Sequence, residues 1–463
     1  MKNIDKFLTG IQGILKNSQI ITDSRECEHF AQDWSNTLTP NSSAILFPES
    51  TDEVSKLLKM ASELDISVVP SGGRTGLSGG AVAMNGEIVL SLSRLNFIQD
   101  LHLGALTVRV GSGAITQAVH EYCENKGVTW PVDFASKGSS SVGGNIATNA
   151  GGVRVLKYGN TRNWVLGLTA VTMNGDIHHF NGELEKNNTG FDFRQLLIGS
   201  EGTLAVVTEA TLKLAPLPRS RSVFFFACSN FARVIELFSF ARSKIPNLSA
   251  FECLDRACLE NTMNHFQLKA PVALADSQAF VLMEVENASL DECSEWLAEI
   301  FESHLVSDGV MAQNDREAKE LWHYREGVAE GILAGHHVHQ EDVSVPVARL
   351  SEFYSEIHAR YAKAFGTGVF FFGHIGDGNL HIFIQAPKNS DRAAFLSHCK
   401  AIDLELFKVL RGFNGSISAE HGIGVLKRHA LHFSRTPAEI ELMRGLKKVF
   451  DPKGLLNPGK VLP

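Results

Sequence analysis

Apolar positions in the first half of the chain alternate between short continuous runs and runs with helical spacing. Residues 44–47 form a short apolar run, which predicts a buried strand. Ser50 and Glu53 then have the spacing of a helix capping box, and apolar residues recur at helical spacing over 54–64. Residues 66–69 predict the next strand, so this segment is predicted to be a β-α-β unit.

The same alternation continues further along the chain. Residues 106–110 predict a strand, and residues 115–126 predict a helix that stops at Gly127. Strand-rich sequence follows at 164–173 and 204–214. The first half is therefore predicted to mix strands with helices.

After Pro216-Leu217-Pro218 the pattern changes to longer helices between strands. Two prolines end a strand and stiffen a linker, so this segment predicts a domain boundary. The Pro- and Gly-rich residues 450–463 are predicted to pack back on the first domain. The helical patterns beyond the boundary suit an α+β second domain and cover residues 231–243, 290–304, 317–333 and 350–363.

Length and composition narrow the class of protein. A chain of 463 residues is too long for one hydrophobic core, so two or three domains are expected. The net charge of −8, from 43 basic and 51 acidic residues, disfavours a nucleic-acid partner. No apolar run is long enough to span a bilayer, and the first residues lack the order of a signal peptide. The 7 cysteines lack C-x-x-C spacing, as free thiols in a reducing compartment would, so a cytoplasmic protein is predicted.

Residues 70–80 form a first glycine-rich cluster directly after a predicted strand, reading Pro-Ser-Gly-Gly-Arg-Thr-Gly-Leu-Ser-Gly-Gly. Glycine lets the backbone adopt positive φ angles and approach a ligand closely. Consecutive N–H groups in such a loop form a concave anion site that suits a pyrophosphate. A long surface loop is the alternative interpretation.

A second cluster of small residues and side-chain amides covers residues 139–152 and follows Pro131-Val132-Asp133. Together the two clusters predict backbone packed against a flat polar ligand. Neither fits G-x-G-x-x-G or the G-K-[ST] of a P-loop, and the tempting Gly111-Ser112-Gly113 has Thr116 where a third glycine should stand. A Rossmann NAD site is therefore disfavoured.

A histidine hairpin is predicted in the second half. Residues 368–374 form a strand that ends in His374, turn residues follow, and a second strand over 380–384 begins near His381. If the strands pair, the two histidines lie opposite each other at the mouth of the hairpin and can share a divalent cation. A structural histidine pair is the alternative. For the nearby histidines, a solvated or pocket-lining segment is favoured over a metal role: His336, His337 and His339.

The glycine clusters resemble the PCMH-type FAD-binding domain of the vanillyl-alcohol-oxidase superfamily, in its glycolate-oxidase and D-2-hydroxyglutarate dehydrogenase branch. Residues 188–192 and 198–204 match as well, and so does Asn457 within Leu-Leu-Asn-Pro-Gly. The resemblance covers nearly the whole chain. It implies an α+β fold with an FAD-binding domain over 1–218, a substrate-binding cap domain with antiparallel sheet over 219–410, and a segment over 411–463 that returns to the flavin.

The resemblance also implies which residues contact FAD. In some relatives a histidine of the first loop bonds covalently to the flavin, whereas this loop carries Arg74, which implies non-covalent FAD. The implied flavin contacts are Pro70, Gly72, Gly73, Arg74, Thr75, Gly76, Leu77, Ser78, Pro131, Asp133, Gly143, Gly144, Asn145, Ala147, Thr148, Asn149, Gly152, Glu201, Gly202, Val207 and Asn457.

The H-x-G-D-G-N-x-H motif and the later Ser-Ala-Glu-His-Gly match the family's metal site. Carried over residue by residue, His374, His381 and Glu420 are metal ligands and His421 is the catalytic base. Such ligands fit catalytic zinc, and manganese, iron or cobalt remain alternatives. The implied reaction removes a hydroxyl proton to His421 and a hydride to flavin N5, while Arg325 pairs with a substrate carboxylate.

Three positions predict the substrate. Where D-2-hydroxyglutarate dehydrogenases have a threonine, a lysine and an asparagine in the pocket, this chain has Ala329, Gln340 and Phe383. Burying an under-paired second carboxylate is costly, so a D-lactate-like or larger apolar monocarboxylate is predicted, with D-2-hydroxyglutarate as the alternative.

Rival functions explain less of the sequence. A serine hydrolase would use the G-x-S-x-G at 76–80, but no helix follows it as a nucleophile elbow requires. A metallohydrolase leaves the glycine clusters unexplained, and a non-catalytic flavin protein leaves the histidines unexplained. An electron acceptor is required, with an electron-transfer flavoprotein, a quinone and a cytochrome all open, and a homodimer is the assembly considered.

Overall fold

The computed structural model describes residues 2–463 and divides into two compact units. Unit 1 contains the described residues up to Gly151 together with Asn160–Leu217 and Glu420–Pro463, and unit 2 contains Gly152–Gly159 and Pro218–Ala419. One division thus falls inside the Pro216-Leu217-Pro218 segment. Residues 152–159 and 411–419 lie in unit 2, whereas the resemblance assigned them to the FAD domain and to the last segment.

The strands are β1 (Ile20–Ile21), β2 (Ser42–Leu46), β3 (Val68–Ser71), β4 (Glu87–Ser91), β5 (Ile98–His102), β6 (Thr107–Gly111), β7 (Val128–Thr129), β8 (Val165–Val171), β9 (Ile177–Phe180), β10 (Val206–Lys213), β11 (Ala215–Pro216), β12 (Arg221–Cys228), β13 (Leu248–Asp255), β14 (Ala279–Glu286), β15 (Asp308–Met311), β16 (Val338–Ser344), β17 (Val369–His374) and β18 (Asn379–Gln385). The helices are α1 (Lys2–Gly10), α2 (Ser24–Phe30), α3 (Thr51–Glu63), α4 (Thr116–Glu124), α5 (Val142–Thr148), α6 (Val155–Tyr158), α7 (Arg194–Leu197), α8 (Phe231–Lys244), α9 (Arg256–Phe266), α10 (Leu290–Glu302), α11 (Asp315–Glu326), α12 (Val328–Leu333), α13 (Leu350–Phe365), α14 (Arg392–Gly412) and α15 (Pro437–Phe450).

Unit 1 contains a small mixed sheet, in which β1 is antiparallel and the other three strands are parallel, and a larger antiparallel sheet. The order of the first is β1-β2-β4-β3, and the order of the second is β5-β6-β10-β8-β9. The predicted β-α-β unit is β2, α3 and β3, with β4 parallel to both strands and between them. The buried apolar residues of this unit form three clusters: one packs on the antiparallel sheet, and the other two pack on the two faces of the small sheet.

The start of α3 differs from the predicted capping box. Ser50 is the N-cap, and its hydroxyl accepts the backbone N–H of Glu53 at 3.2 Å. The Glu53 carboxylate does not return to Ser50; it accepts the N–H of Glu49 at 2.7 Å and the side-chain amide of Gln19 at 2.9 Å. The predicted contact from the Glu53 carboxylate back to Ser50 is therefore wrong, because other donors compete for that carboxylate.

Unit 2 is built on a seven-stranded antiparallel sheet in the order β15-β12-β14-β13-β17-β18-β16. Side chains from α9, α11 and α12 pack on one face of it in a buried apolar cluster. The predicted helix over 317–333 is wrong as a single element, because the chain breaks at Gly327 into α11 and α12. A Cβ at Gly327 would lie 2.7 Å from the Phe266 ring, so glycine is needed where the two helices meet α9.

The predictions of free cysteines and of a chain without membrane-spanning segments can also be compared with the structure. All seven cysteines are buried and none forms a disulfide. Over the described residues, no helix combines the length and the apolar character required to cross a bilayer.

Candidate functional site

One face of the unit 2 sheet carries most of the predicted chemistry of the second half. Side chains alternate between faces along a strand, and residues directly opposite each other in neighbouring strands share a face. The register pairs therefore place a polar row beside an aromatic patch on this face. The row and patch consist of Glu252, His374, Phe372, His381, Phe383, Asp342 and Gln340.

The two histidines of the predicted hairpin lie together on this face. The sequence predicted that His374 and His381 lie directly opposite each other. In the structure the residue opposite His381 is Phe372, and His374 lies diagonally across the strand pair. The difference arises because β18 already begins at Asn379, so the connection that follows His374 contains only residues 375–378, of which 375–377 form a turn of helix. Diagonal neighbours are still within reach of aromatic side chains, and the Nε2 atoms of His374 and His381 lie 3.4 Å apart.

Each histidine is braced by a buried carboxylate through its other ring nitrogen. Nδ1 of His374 lies 2.8 Å from Oε1 of Glu252, and Nδ1 of His381 lies 3.6 Å from Oδ1 of Asp342. Asn379 also donates to the Asp342 carboxylate, at 2.8 Å. The Glu252 carboxylate accepts Nδ1–H of His374, which fixes the tautomer in which Nε2 of that ring is unprotonated and available as a ligand, whereas the Asp342 carboxylate lies beyond hydrogen-bond distance of His381.

Arg325 reaches the same network from α11. Its guanidinium lies 2.8 Å from the Glu252 carboxylate and 5.0 Å from the centre of the Phe372 ring. Burial alone would raise the pKa of Glu252, but His374 and Arg325 hold that pKa below its usual range. Nε of Arg325 is buried and has no hydrogen-bond partner among residues 2–463, so this donor remains available to an anion.

The other predicted substrate positions lie on or near the same face. Gln340 and Phe383 are directly opposite each other in β16 and β18. Phe383 is buried and its ring makes an edge contact with Phe372, with centroids 5.0 Å apart. Ala329 packs partly buried against the same apolar cluster from α12. Beside the histidine pair, this face therefore presents aromatic and aliphatic groups together with the neutral amide of Gln340.

The donor set of this face fits a divalent cation. Two imidazole nitrogens bound at about 2.0–2.1 Å to one tetrahedral zinc ion lie roughly 3.4 Å apart. The two Nε2 atoms have this separation, and both Nδ1 atoms are directed to carboxylates as in many metal-binding histidines. Sequence reasoning missed Glu252 and Asp342, which lie on strands distant in sequence from the hairpin.

In unit 1 the two glycine-rich clusters pack against each other. A Cβ on Gly72 would lie 2.3 Å from the Ser141 hydroxyl, and a Cβ on Gly73 would lie 2.1 Å from the Ser139 carbonyl oxygen. The Gly73 N–H also donates to the Ser141 hydroxyl, at 3.1 Å. These glycines therefore allow one loop to approach the other, a use of glycine that the sequence interpretation did not foresee. A Cβ on Gly76, by contrast, would lie 3.8 Å from the Asp33 carboxylate, which is an ordinary van der Waals contact.

Asn457 forms hydrogen bonds to three separate segments at the first glycine-rich loop. Its amide donates to the carbonyl oxygens of Gly80 at 2.9 Å and Glu201 at 2.8 Å, and its own N–H donates to Val68 at 2.7 Å. The amide oxygen of Asn457 is buried and has no hydrogen-bond partner among residues 2–463. A buried acceptor without a protein partner, beside the first glycine-rich loop, fits the N–H edge of a flavin ring.

The remaining predicted flavin residues have varied environments. Arg74 has a positive φ of 58° and donates to the His29 carbonyl, with its guanidinium 4.8 Å from the centre of the Phe30 ring. Asn145 is buried and donates to the Thr116 hydroxyl at 2.7 Å. Pro131, Asp133, Gly143, Gly144, Ala147, Thr148, Asn149, Gly202 and Val207 belong to unit 1, and Gly152 is grouped with unit 2.

The segment that contains Glu420 and His421 belongs to unit 1 and is tied to its loops. The Ser78 hydroxyl donates to the backbone carbonyls of His421 at 2.9 Å and Gly422 at 3.1 Å. The Glu201 carboxylate accepts the backbone N–H groups of residues 423 and 424, both at 2.8 Å. Gly422 has a φ of 79°, and a Cβ there would lie 2.9 Å from that carboxylate. The predicted base is therefore held against the first glycine-rich loop within unit 1.

Two family models match the chain. The model described as an FAD binding domain matches residues 42–181, and the model described as FAD linked oxidases, C-terminal domain, matches residues 217–461. Together they include both glycine-rich clusters, the histidine hairpin and the segment with Glu420 and His421.

Three relatives align over almost the whole chain. D-2-hydroxyglutarate dehydrogenase of Xanthomonas citri pv. viticola is 43% identical over 99% of this chain and 97% of its own length. The enzyme of the same name from Stutzerimonas stutzeri is 39% identical over 97% of both chains. The mitochondrial D-2-hydroxyglutarate dehydrogenase of Bos taurus is 37% identical over 96% of this chain and 81% of its own length.

A solved structure shares the fold at low sequence identity. 4-Ethylphenol oxidase from Gulosibacter chungangensis superimposes with a TM-score of 0.77 at 16% identity, and the match covers 100% of this chain and 97% of that one. At this identity the likeness concerns the fold alone.

Proposed function

Because this chain belongs to the FAD-linked oxidase family, and D-2-hydroxyglutarate dehydrogenases are its relatives along the full length, we propose that it oxidises D-2-hydroxyglutarate to the 2-oxo acid. The chain is an FAD-dependent dehydrogenase that acts on the CH–OH group of a D-2-hydroxy acid. In this reaction the substrate loses a hydroxyl proton and a hydride from the same carbon. FAD, when bound, supplies the hydride acceptor at its N5 atom.

His374, His381 and Glu420 would hold a divalent cation, zinc being the ion that suits such a donor set. When bound, this cation supplies Lewis acidity towards the hydroxyl and carboxylate oxygens of the substrate. Glu252 supports the assignment because it accepts a hydrogen bond from Nδ1 of His374 and so orients that ring, and the Asp342 carboxylate lies beside Nδ1 of His381. The sequence resemblance brings Glu420 into this set.

His421 takes the hydroxyl proton as general base. The Ser78 hydroxyl supports this role because it holds the backbone of residues 421–422 against the first glycine-rich loop, which belongs to the matched FAD-binding domain. A general base must keep a fixed position relative to both the hydroxyl proton and the hydride acceptor.

The charges on the sheet face argue for the cation. Glu252 and Asp342 contribute two negative charges and Arg325 one positive charge, so the face without a cation is net negative and repels a dianionic substrate. A divalent cation reverses that sign. Arg325, with its buried unpaired Nε, then pairs with the second carboxylate of the substrate.

The monocarboxylic substrate predicted from Ala329, Gln340 and Phe383 is supported less well than its alternative. The full-length relatives at 37–43% identity are named for the dicarboxylate. The sequence analysis took the absence of a lysine at position 340 to mean that the second carboxylate lacks a positively charged partner. The guanidinium of Arg325, which the sequence analysis also identified, provides that positive charge.

The observation that carries the proposal is the 43% identity over 99% of the chain with a D-2-hydroxyglutarate dehydrogenase. The test compares kcat/KM for D-2-hydroxyglutarate, D-lactate and D-2-hydroxyisocaproate, with an artificial electron acceptor and zinc-equilibrated enzyme. We expect the dicarboxylate to be preferred at least about tenfold, which corresponds to roughly 1.4 kcal/mol. Arg325→Lys keeps the charge but loses the planar donor geometry, so it should reduce that preference. Equal or better turnover of D-lactate by the wild-type enzyme would refute the proposal.

A further inference from the structure

Glu201 lies where three segments of unit 1 meet. Its backbone N–H donates to the Ala147 carbonyl of the second glycine-rich cluster at 2.8 Å, and its own carbonyl accepts the Asn457 amide at 2.8 Å. Its carboxylate accepts the backbone N–H groups of residues 423–424, one on each oxygen, both at 2.8 Å. One residue therefore connects two predicted flavin contacts with the chain that directly follows His421.

The Glu201 carboxylate interacts with the protein backbone and has no cationic partner among residues 2–463. Loss of water raises the pKa of this carboxyl group, and the two backbone N–H groups act against that shift. A Cβ on Gly80 would lie 3.5 Å from the carboxylate, so its negative charge lies at the first glycine-rich loop, where it cannot bind a pyrophosphate. The resemblance implied that Glu201 contacts FAD, and its peptide group suits that contact better than its carboxylate does.

The chain after His421 fits closely against this carboxylate. Gly422 has a φ of 79°, and a Cβ there would lie 2.9 Å from the carboxylate carbon of Glu201. Gly424 has a φ of 48°, and a Cβ there would overlap the Ser78 carbonyl oxygen. The segment is therefore held between Glu201 and Ser78, and a side chain at either glycine would displace one of them.

The backbone of Glu201 is itself constrained. Its φ of 52° lies in the left-handed region, which residues other than glycine rarely adopt. Such a conformation persists where several contacts require it, and here the N–H, the carbonyl and the carboxylate of one residue are all engaged. Since two of these contacts end on predicted flavin contacts and the third ends beside His421, the constraint points to a role in placing the base.

We propose that Glu201 is a positioning residue that holds His421 in place and makes its position depend on flavin binding. The proposal rests on the proposed function, in which His421 is the general base. The peptide group of Glu201 is held by Ala147 and Asn457, so an occupied flavin site that orders these two residues also fixes the Glu201 carboxylate and the segment bound to it. In the apoprotein the same segment is held less firmly, and the base is out of position until FAD binds.

The first test is kinetic and uses zinc-equilibrated enzyme. Glu201→Gln keeps the shape of the side chain but can accept only one of the two N–H groups, so displacement of the base should lower kcat by about 10–100-fold. KM for D-2-hydroxyglutarate and the Kd for FAD should stay within about threefold, because neither depends on the base. Added to His421→Ala, the same substitution should have no further effect on kcat, since a positioning residue acts only through the residue that it positions.

Glu87→Gln is the matched control. Glu87 is a buried residue of unit 1 whose carboxylate also accepts two consecutive backbone N–H groups, those of Met84 at 2.9 Å and Asn85 at 2.6 Å. These residues belong to another loop, so Glu87→Gln should leave kcat unchanged.

The second test follows the segment directly by hydrogen exchange and mass spectrometry. In the wild type, FAD should slow exchange of the amides at 423–424 at least about tenfold relative to the apoprotein, and Glu201→Gln should lose most of this protection. Gly422→Ala disturbs the same contact from the other side and should give the same pattern, so either variant decides the question if the other fails to fold.

The outcomes separate this proposal from the proposed function. A Kd for FAD that rises as much as kcat falls would assign the Glu201 carboxylate to the flavin site and overturn the proposal. A further loss of kcat when Glu201→Gln is added to His421→Ala, or unchanged protection of residues 423–424 in Glu201→Gln, would also overturn it. Full activity of His421→Ala would instead refute the proposed base, and the exchange measurement would still decide whether Glu201 holds this segment.

Discussion

The imidazole rings of His374 and His381 are nearly perpendicular, at an interplanar angle of 85°, and their Nε2 atoms approach to 3.4 Å. Perpendicular rings cannot stack, so contact between the ring faces does not explain the pairing. Two ring nitrogens at this separation are within reach of one point between them. The arrangement is stable when a cation or a proton occupies that point.

The first prediction distinguishes the metal ligands from the general base by substitution. His374→Ala should lose the bound metal and with it most of the turnover of D-2-hydroxyglutarate. His421→Ala should keep the metal while kcat falls by about 10²–10⁴-fold, as expected for a lost general base. Metal analysis and steady-state kinetics on the same preparations check both, and full activity after chelation would contradict the assignment.

Glu252 should act through His374. Glu252→Gln keeps the shape of the side chain but removes the charge that orients Nδ1, so metal affinity should fall by about 10–100-fold. The matched control is Glu284→Gln, since Glu284 is equally buried on the neighbouring strand but pairs with Arg154. Zinc titration against a competing chelator measures both, and equal effects of the two variants would argue against a specific role for Glu252.

The flavin should be held without a covalent bond. The first glycine-rich loop carries Arg74 where some relatives carry the attached histidine, and that arginine is engaged with the His29 carbonyl. Acid precipitation of the yellow protein should leave all of its FAD in the supernatant. Flavin that stays with the precipitate would show a covalent link at another residue.

Asn457 should contribute directly to flavin affinity. Asn457→Ala removes the bonds to the Gly80 and Glu201 carbonyls and the orphan amide oxygen, so the Kd for FAD should rise at least about tenfold, from roughly 1–2 kcal/mol of lost hydrogen bonding. Asn264→Ala, at an exposed position of unit 2, is the control and should leave it unchanged. Fluorescence titration of the apoprotein with FAD provides both values.

Two lysines of unit 1, the buried Lys460 and the half-buried Lys447, should respond in opposite ways to substitution. Lys460 is 3% exposed, its ammonium has no hydrogen-bond partner among residues 2–463, and burial lowers its pKa to about 8. Lys460→Met should therefore stabilise the protein at pH 7 by about 2–3 kcal/mol. Above pH 8 the Lys460 ammonium loses its proton in the folded state, whereas the unfolded chain keeps that proton to about pH 10.4. The free energy of unfolding of the wild type therefore rises with pH, and the difference in stability between Lys460→Met and the wild type becomes smaller.

Lys447 is the matched contrast, because its ammonium has three partners. It donates to the Thr203 carbonyl at 2.7 Å, the Leu456 carbonyl at 2.6 Å and the Asp451 carboxylate at 2.6 Å. Lys447→Met should destabilise the protein by about 3 kcal/mol, since it leaves a buried carboxylate unpaired. Urea unfolding with saturating FAD measures both variants, and destabilisation by Lys460→Met would show that its ammonium has a partner in the holoprotein.

Local patterns predicted much of this molecule. The apolar spacing located α3, α8 and α13 to within three residues at each end, because each is an amphipathic helix with a buried stripe. The two strands of the histidine hairpin were predicted for a similar reason, since turn residues stand between two short apolar runs. The break at Gly327 was missed because the apolar period continues through it.

The supporting residues could not be predicted in the same way. Glu252 lies opposite His374 only because β13 pairs with β17, and these strands are more than a hundred residues apart in sequence. Asp342 likewise depends on the pairing of β16 with β18. Long-range register is set by the whole sheet and leaves no local pattern, so the second layer of the site became visible only in the structure.

The order of segments in unit 1 bears on how the protein is made. Backbone bonds join Asn457 to Val68 and Val461 to Gly424, so the lining of the first glycine-rich loop is incomplete until residues near 461 have been synthesised. The continuous part of unit 2, Pro218–Ala419, is synthesised before those residues. Cofactor loading is therefore a late event in the life of the nascent chain, and translation arrested before residue 457 yields a polypeptide that cannot retain its flavin.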